Sequence, residues 1–299
     1  MAQEALQEAL EAFLLKHKGM YFHKGITSPE VIDAVEHMET RNDDVFLVTY
    51  PKSGTIWTQQ ILGLIFSEQH RNGKDNTNNM DRAPWIEYNE HNIVFDNRPS
   101  PRLFTSHLPY YLMPKDLRHR RGKIIYVCRN PKDSVVSYYH FYKIYTKLQC
   151  TIDWKTFFDL FMTGRVIGGS WSDHIRGWYT HKEDYNILFM TYEEMRKDLK
   201  SAVLKICKFV GKILNDQEVE TVVERATFKN MEHDPVANYK FLTKNLFNFD
   251  RGNFLRKGTI GDWKNLMTVA QSEQIDEMVK SKLGDLPIKF VWDIDDEPQ

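Results

Sequence analysis

Residues 45–57 read Val-Phe-Leu-Val-Thr-Tyr-Pro-Lys-Ser-Gly-Thr-Ile-Trp, and the fold follows from how this stretch divides. Val45 to Tyr50 is an apolar run of the length of a buried strand. Pro51 and Gly54 then punctuate a tight turn. A helical pattern follows, with apolar residues at Trp57, Ile61, Leu62, Leu64, Ile65 and Phe66. A strand, a small-residue turn and a helix start together make an anion cradle. The first helical N–H groups lack partners and point at the turn, and the helix dipole favours negative charge there. Lys52, Ser53, Thr55 and Thr58 add a cation and hydroxyl donors. The expected occupant is a phosphate or a sulfate. The nucleoside triphosphatase loop places its lysine after the last glycine. Here Lys52 precedes Gly54, which disfavours an ATPase.

Two further stretches repeat the theme. Lys123 to Cys128 is a second buried-strand run, followed by Arg129-Asn-Pro-Lys-Asp133 and a helical pattern through Ser137, Tyr138, Phe141 and Tyr145. Open α/β sheets bind ligands at the carboxyl ends of their strands, so two such turns on neighbouring strands would hold two anionic groups of one ligand. Downstream, Phe254-Leu-Arg-Lys-Gly-Thr-Ile-Gly-Asp-Trp-Lys264 combines two glycines with adjacent cations and reads as a loop over something charged.

Taken together, Tyr50-Pro-Lys-Ser-Gly-Thr-Ile-Trp57, Arg129-Asn-Pro-Lys-Asp-Ser-Val-Val-Ser137 and Arg256-Lys-Gly-Thr-Ile-Gly-Asp-Trp-Lys264 resemble the cytosolic sulfotransferases in order and spacing, over nearly the whole chain. These enzymes use 3′-phosphoadenosine 5′-phosphosulfate (PAPS) as donor and release adenosine 3′,5′-bisphosphate (PAP), without a metal. The resemblance implies that Lys52, Ser53, Gly54, Thr55, Ile56 and Trp57 hold the 5′-phosphosulfate, with Trp57 stacked on the adenine. Arg129, Ser137, Arg256, Lys257 and Gly258, in the segment that begins Phe254-Leu255, would hold the 3′-phosphate. Tyr192 and the segment Ala226-Thr227-Phe228-Lys-Asn-Met231 would contact the adenine. Ala226 stands where the family usually has a hydroxyl residue.

The implied reaction is in-line sulfuryl transfer, in which the protein positions the partners and neutralises charge on the leaving oxygen. Lys52 is the expected acid or electrostatic partner of that oxygen. The expected base is His107, in Thr105-Ser-His-Leu-Pro109. Arg102 to Ser106 reads as a short strand and Pro109 stops it, so His107 falls at a strand's carboxyl end. A histidine's ordinary pKa near 6.5 suits a base at neutral pH. Family members commonly carry a lysine at the position of Thr105.

The composition agrees. The chain has 299 residues and a net charge of −1, with a pI near 6.8. It is expected to form one domain over residues 1–299, a central parallel sheet of four or five strands flanked by helices, with no general affinity for nucleic acid. Cys128, Cys150 and Cys207 are odd in number and scattered, so no disulfide framework is implied and a reducing, cytoplasmic location fits. No apolar run has the length of a membrane span, and Met1 to Lys18 has a helical rather than a signal-peptide pattern. Without an anchor, small soluble acceptors are expected, and with them small-molecule conjugation and detoxification.

Asn72 to Arg82 reads as a polar surface loop, and Phe241 to Asn253 as a cap closing over the ligands. Further helices are expected at Trp154–Thr163, Trp171–His181, Leu199–Val210, Asp216–Arg225 and Ala270–Leu283, with a strand at Asn186–Thr191. The acceptor pocket should be aromatic, drawing on Tyr21, Phe22, Trp85, Tyr88, Phe141, Tyr145 and Phe247, with Thr105 and Ser106 beside the base. Lys264, Thr268, Val269 and Glu273 fit the family's dimerisation motif and imply a homodimer. An ordinary helix start capped by Thr268 accounts for the same residues. Thr105-Ser-His-Leu-Pro-Tyr-Tyr111 and Asp173-His-Ile-Arg-Gly-Trp-Tyr179 look most like the amine branch of the family. Phenol and steroid-alcohol acceptors, or a non-catalytic PAPS-binding role, are the alternatives.

Overall fold

The computed structural model describes residues 12–88, 95–146, 152–242 and 246–293. Its first strands, β1 (Leu14–His17) and β2 (Met20–His23), pair antiparallel. This corrects the expected helix through Lys18, while Leu6 and Leu10 lie outside the described residues. The reason is the Lys18-Gly19 turn. Both residues have positive φ (45° and 83°), which a two-residue hairpin turn requires. Helix α1 (Pro29–Val35) follows, capped by Ser28.

The apolar runs form a parallel sheet of β3 (Val45–Thr49), β4 (Leu103–Ser106), β5 (Lys123–Cys128) and β6 (Ile187–Thr191) in the order β4-β3-β5-β6. Four strands pair among the described residues. Alternate side chains enter opposite faces, as the pleat demands. Phe46, Val48, Phe104, Ile124 and Tyr126 pack into one apolar core, and Val45, Leu47, Leu103, Ile125 and Val127 into the other. Helices α2 (Thr55–Phe66), α3 (Pro131–Ile144), α4 (Trp154–Met162), α5 (Trp171–Thr180), α6 (Tyr192–Lys197), α7 (Leu199–Val210), α8 (Asp216–Arg225), α9 (Phe228–His233) and α10 (Val269–Leu283) add residues to these cores.

The register sets the functional geometry. Val48 pairs with both Ser106 and Tyr126, and Cys128 with Thr191. The strands therefore end side by side, and the chain leaves them at Tyr50, His107, Arg129 and Tyr192. Strand β4 lies at the sheet's edge. Its start is anchored by a buried ion pair, Arg102 Nε donating to Asp44 Oδ1 at 2.8 Å. Its outer side is covered by residues 84–86, through Thr105 N to Pro84 O and Ile86 N to Thr105 O. The expected polar loop at Asn72–Arg82 is partly helical instead. Asn78 caps the turn Asn79–Arg82, and Asn79 is fully buried.

Candidate active site

The backbone of the turn after β3 is strained. Lys52 has φ 70° and Gly54 φ 101°, and such outliers cluster at functional sites. A Cβ on Gly54 would lie 2.9 Å from the Tyr192 ring, so only glycine fits between turn and ring. No side chain caps the N-terminus of α2. Ser53 Oγ is buried with no hydrogen-bond partner among the described residues. Thr55 Oγ1 meets Thr49 Oγ1 at 2.7 Å, and Thr58, expected as a donor, is buried with its hydroxyl on Gly54 O. Lys52 Nζ stands over the rings of Phe141 (4.9 Å) and Phe254 (5.4 Å). Desolvation in the cleft, with Arg129 and Arg256 nearby, lowers its pKa to about 7.

Arg129 ties the three sequence stretches together. Its guanidinium donates to Lys52 O (3.4 Å) and Thr259 O (2.9 Å) and lies 4.2 Å from the Tyr192 ring centre. Its Nε is buried with no partner among the described residues. The distant loop is shaped by Asp133, a fully buried carboxylate that accepts from Gly261 N (2.9 Å) and Trp263 N (3.1 Å). Arg256 and Lys257 both pair with Asp262, whose carboxyl is held well below the usual range against the cost of its own desolvation. Gly258, φ 65°, sits against the Phe228 ring where a Cβ would overlap it.

One cavity of about 270 Å³ joins these parts. Lys52, Gly54, Thr55, Ile56, Trp57, Arg129, Ser137, Tyr192, Phe228, Met231 and the run Phe254 to Thr259 line it. Trp57 Nε1 donates to Ala226 O at 2.7 Å. Ser53, Ala226 and Thr227 do not line the cavity. Ser53 and Ala226 are fully buried, and the Thr227 hydroxyl caps α9 and donates to Glu224 O. Arg196, on the same cavity, was missed by sequence reasoning. It lies one helical turn beyond Tyr192, and that spacing was the available signal.

The cavity continues to His107, beyond the end of β4. His107 Nδ1 lies 2.6 Å from Thr49 O. A carbonyl can only accept, so Nδ1 carries the hydrogen and the Nε2 lone pair is left for chemistry. Burial lowers the His107 pKa to about 3. This corrects the ordinary value assumed from sequence, since the imidazole is neutral at every physiological pH. The Trp85 ring centre lies 4.5 Å from that of His107.

Trp85, Tyr88, Phe141, Tyr145 and Phe247 all line this end, together with His23 and Tyr239, which the sequence did not single out. Phe141 stacks on Tyr145, and Phe247 packs on both. Thr105 and Ser106 are corrected. Both are fully buried off the cavity, Thr105 Oγ1 donating to Ala83 O and Ser106 Oγ accepting from Leu108 N. Tyr21 and Phe22 also lie off it, Phe22 in the core. The Phe241–Asn253 segment contributes Leu242, Leu246 and Phe247 and is bound to the end of α3 through Asn248 N to Ile144 O. Residues 243–245 of that segment lie outside the described residues.

Away from the cleft, Thr268 caps α10 in a capping box with Gln271 and leaves Val269 76% exposed. Lys264 pairs with Asp293, and Glu273 is exposed. Among the described residues no His, Cys, Asp or Glu cluster could hold a metal ion, and no helix is long and apolar enough to cross a membrane.

The chain is similar to known proteins over most of its length. Residues 42–287 match the family model of the sulfotransferase domain. The chain is 49% identical over 287 residues to an amine sulfotransferase of Oryctolagus cuniculus, covering 95% of each. It is 40% identical over 293 residues to sulfotransferase 2B1 of Homo sapiens, covering 98% of this chain and 80% of that one. A crystal structure of a mouse sulfotransferase complexed with PAP matches with TM-score 0.76 at 32% identity, over 92% of this chain and 96% of that one. The family model spans residues 42–287, well over half of the sequence, and the chain belongs to the sulfotransferase family.

Proposed function

We propose that this enzyme transfers the sulfonate group of PAPS to a small, uncharged acceptor, an amine before a phenol or an alcohol, with His107 as base and Lys52 at the leaving oxygen. The observation that carries the reading is Arg129, whose guanidinium bridges the Lys52 turn and the 256–259 loop beside one cavity that also reaches His107. The residues fit the donor. The uncapped start of α2 and the cleft-placed Lys52 suit a phosphosulfate. Arg129 Nε, Arg256 and Lys257 suit the 3′-phosphate, which would compete with Asp262 for the last two.

PAPS supplies an activated sulfonate, whose sulfur–oxygen bond to phosphate breaks as the bond from acceptor nitrogen or oxygen forms, releasing PAP. Lys52 stabilises the charge left on that oxygen, and His107 Nε2 takes the acceptor's proton. The aromatic walls orient the acceptor and exclude water. The amine reading draws on the 49% identity to an amine sulfotransferase. Among the described residues, the cavity is lined by five Lys or Arg side chains (Lys52, Arg129, Arg196, Arg256 and Lys257) and by no Asp or Glu. An ammonium ion would meet repulsion there, so the amine enters neutral. A reducing, cytoplasmic setting fits the buried free thiols Cys128 and Cys207. Exposed Val269 at the start of α10 supports assembly into a homodimer through residues 264–273.

Three outcomes are expected. First, donor binding takes up protons. Lys52 titrates near 7 in the free cleft, and a neighbouring dianion raises that value. Affinity is therefore greatest below pH 7 and falls as pH rises above it. Calorimetry at pH 8 in buffers of different ionisation enthalpy should find uptake of about one proton in wild type. Lys52→Met should abolish the uptake and cut turnover by roughly 10²–10³-fold. Binding of PAPS without proton uptake would contradict the role of Lys52.

Second, His107→Ala should lower turnover of a phenol by roughly 10²–10⁴-fold at every pH from 6 to 8, because His107 is neutral throughout that range. A wild-type limb near pH 6–7 that vanishes in His107→Ala would contradict the neutral base. Aniline should give a flat profile over the same range, and an aliphatic amine a rate that climbs with pH. Third, Val269→Glu should convert a dimer to monomers in sedimentation measurements, since charge enters a small contact. A wild-type monomer at every concentration would rule that contact out.

A further inference from the structure

His107 leaves the sheet just beyond the end of its edge strand, β4. Beyond Ser106 no neighbouring strand pairs with the main chain of β4 among the described residues, and the main-chain polar groups of residues 107 and 108 need other partners. Side chains supply them. His107 N donates to Glu87 Oε1 at 2.6 Å. His174 Nε2 lies 3.1 Å from His107 O, and Trp178 Nε1 donates to Leu108 O at 3.1 Å. His174 and Trp178 are one turn apart on α5, so a single helix face meets two consecutive carbonyls.

We infer that His174 and Trp178, with Glu87, are positioning residues that clamp the main chain at His107 and Leu108 and so aim His107 Nε2 at the reacting centre. The inference rests on the reading of His107 as the base. None of the three lines the cavity, so none acts by touching donor or acceptor. All are buried, with 3% of His174 and none of Trp178 or Glu87 exposed.

The chain of bonds has a fixed direction. The His107 carbonyl can only accept, so His174 Nε2 carries the hydrogen. His174 Nδ1, a lone pair, then accepts from Tyr126 OH on β5 at 2.9 Å. Burial keeps His174 neutral, with its pKa lowered to about 4. The clamp therefore runs from the middle of the sheet, through α5, to the backbone of the base. Gly177 lets α5 approach closely, since a Cβ there would lie 2.9 Å from the Tyr110 ring.

These contacts could also serve stability alone, and the two roles separate in a double-mutant cycle. The measurements are turnover with aniline and 2-naphthol and the affinity for PAP, each in wild-type and His107→Ala backgrounds. His174→Leu should lower turnover roughly 10–100-fold, the scale set by misplacing a catalytic group by about 1 Å, and leave PAP affinity within about two-fold. His174→Gln keeps an N–H near the Nε2 position and should restore most of the turnover. In His107→Ala, His174→Leu should cost little more. Equal losses in both backgrounds, or His174→Gln no better than His174→Leu, would overturn the clamp. If His174→Leu does not fold, Trp178→Phe keeps a ring, removes the indole N–H and carries the same test. Near-wild-type turnover in His107→Ala would instead remove the base assignment on which the clamp depends.

Discussion

Arg129 leaves the end of β5 with its guanidinium on two carbonyls that lie far apart in sequence, Lys52 O and Thr259 O. That one planar cation fixes the distance between the two cationic ends of the cleft. A lysine could reach one carbonyl or the other but lacks the forked donors to hold both. The arrangement depends in turn on the sheet register. Because β3 and β5 end together, Lys52 and Arg129 start their turns side by side. Asp133 then draws the 256–263 loop onto the same edge through two backbone N–H groups.

Gathering five cations around a partly desolvated cavity carries an electrostatic cost, and the molecule offsets it locally. Asp262 pairs with Arg256 and Lys257, and Arg129 stands on the Tyr192 ring and 3.9 Å from Asp133. Lys52 stands over two aromatic rings, and desolvation with Arg129 and Arg256 nearby lowers its pKa. The same desolvation that depresses Lys52 keeps His107 neutral. On the proposed function, an anionic donor would enter a site already short of negative charge, beside an imidazole with its lone pair unprotonated. A preorganised field of this kind needs little rearrangement as charge moves to the leaving oxygen.

Much of this was legible in the sequence, for local reasons. The strand-turn-helix at 45–66 is written in a short apolar run, a Pro-x-x-Gly turn and a 3.6-residue period. The β5 turn, α7 and α8 were equally plain. The Phe254–Lys264 loop could be joined to the other two stretches only through family resemblance, because its contacts to Arg129 and Asp133 span about half the chain. The N-terminal hairpin was hidden by leucines at helical spacing, and the Lys18-Gly19 turn outweighed them. Thr105 and Ser106 were misplaced because both lie within the fully buried strand, one on each face, and the chain reaches the cavity only at His107. The pKa of His107 was not legible at all, since burial is set by the packing of Trp85 and its neighbours. The motif at Asp173–Tyr179 was visible as a phrase, yet its role emerges only when α5 is seen against residues 107 and 108.

The account's central claim is that one cleft holds two anionic groups of one nucleotide, with Arg129 at the second. The most direct measurement is calorimetric titration of PAP and of adenosine 5′-phosphate into wild type and Arg129→Ala. Wild type should prefer the bisphosphate by roughly 10–100-fold, the worth of a charge-assisted contact of about 1.5–3 kcal/mol. Arg129→Ala should lose most of that preference. Equal weakening of both nucleotides in Arg129→Ala, or no preference in wild type, would contradict the claim.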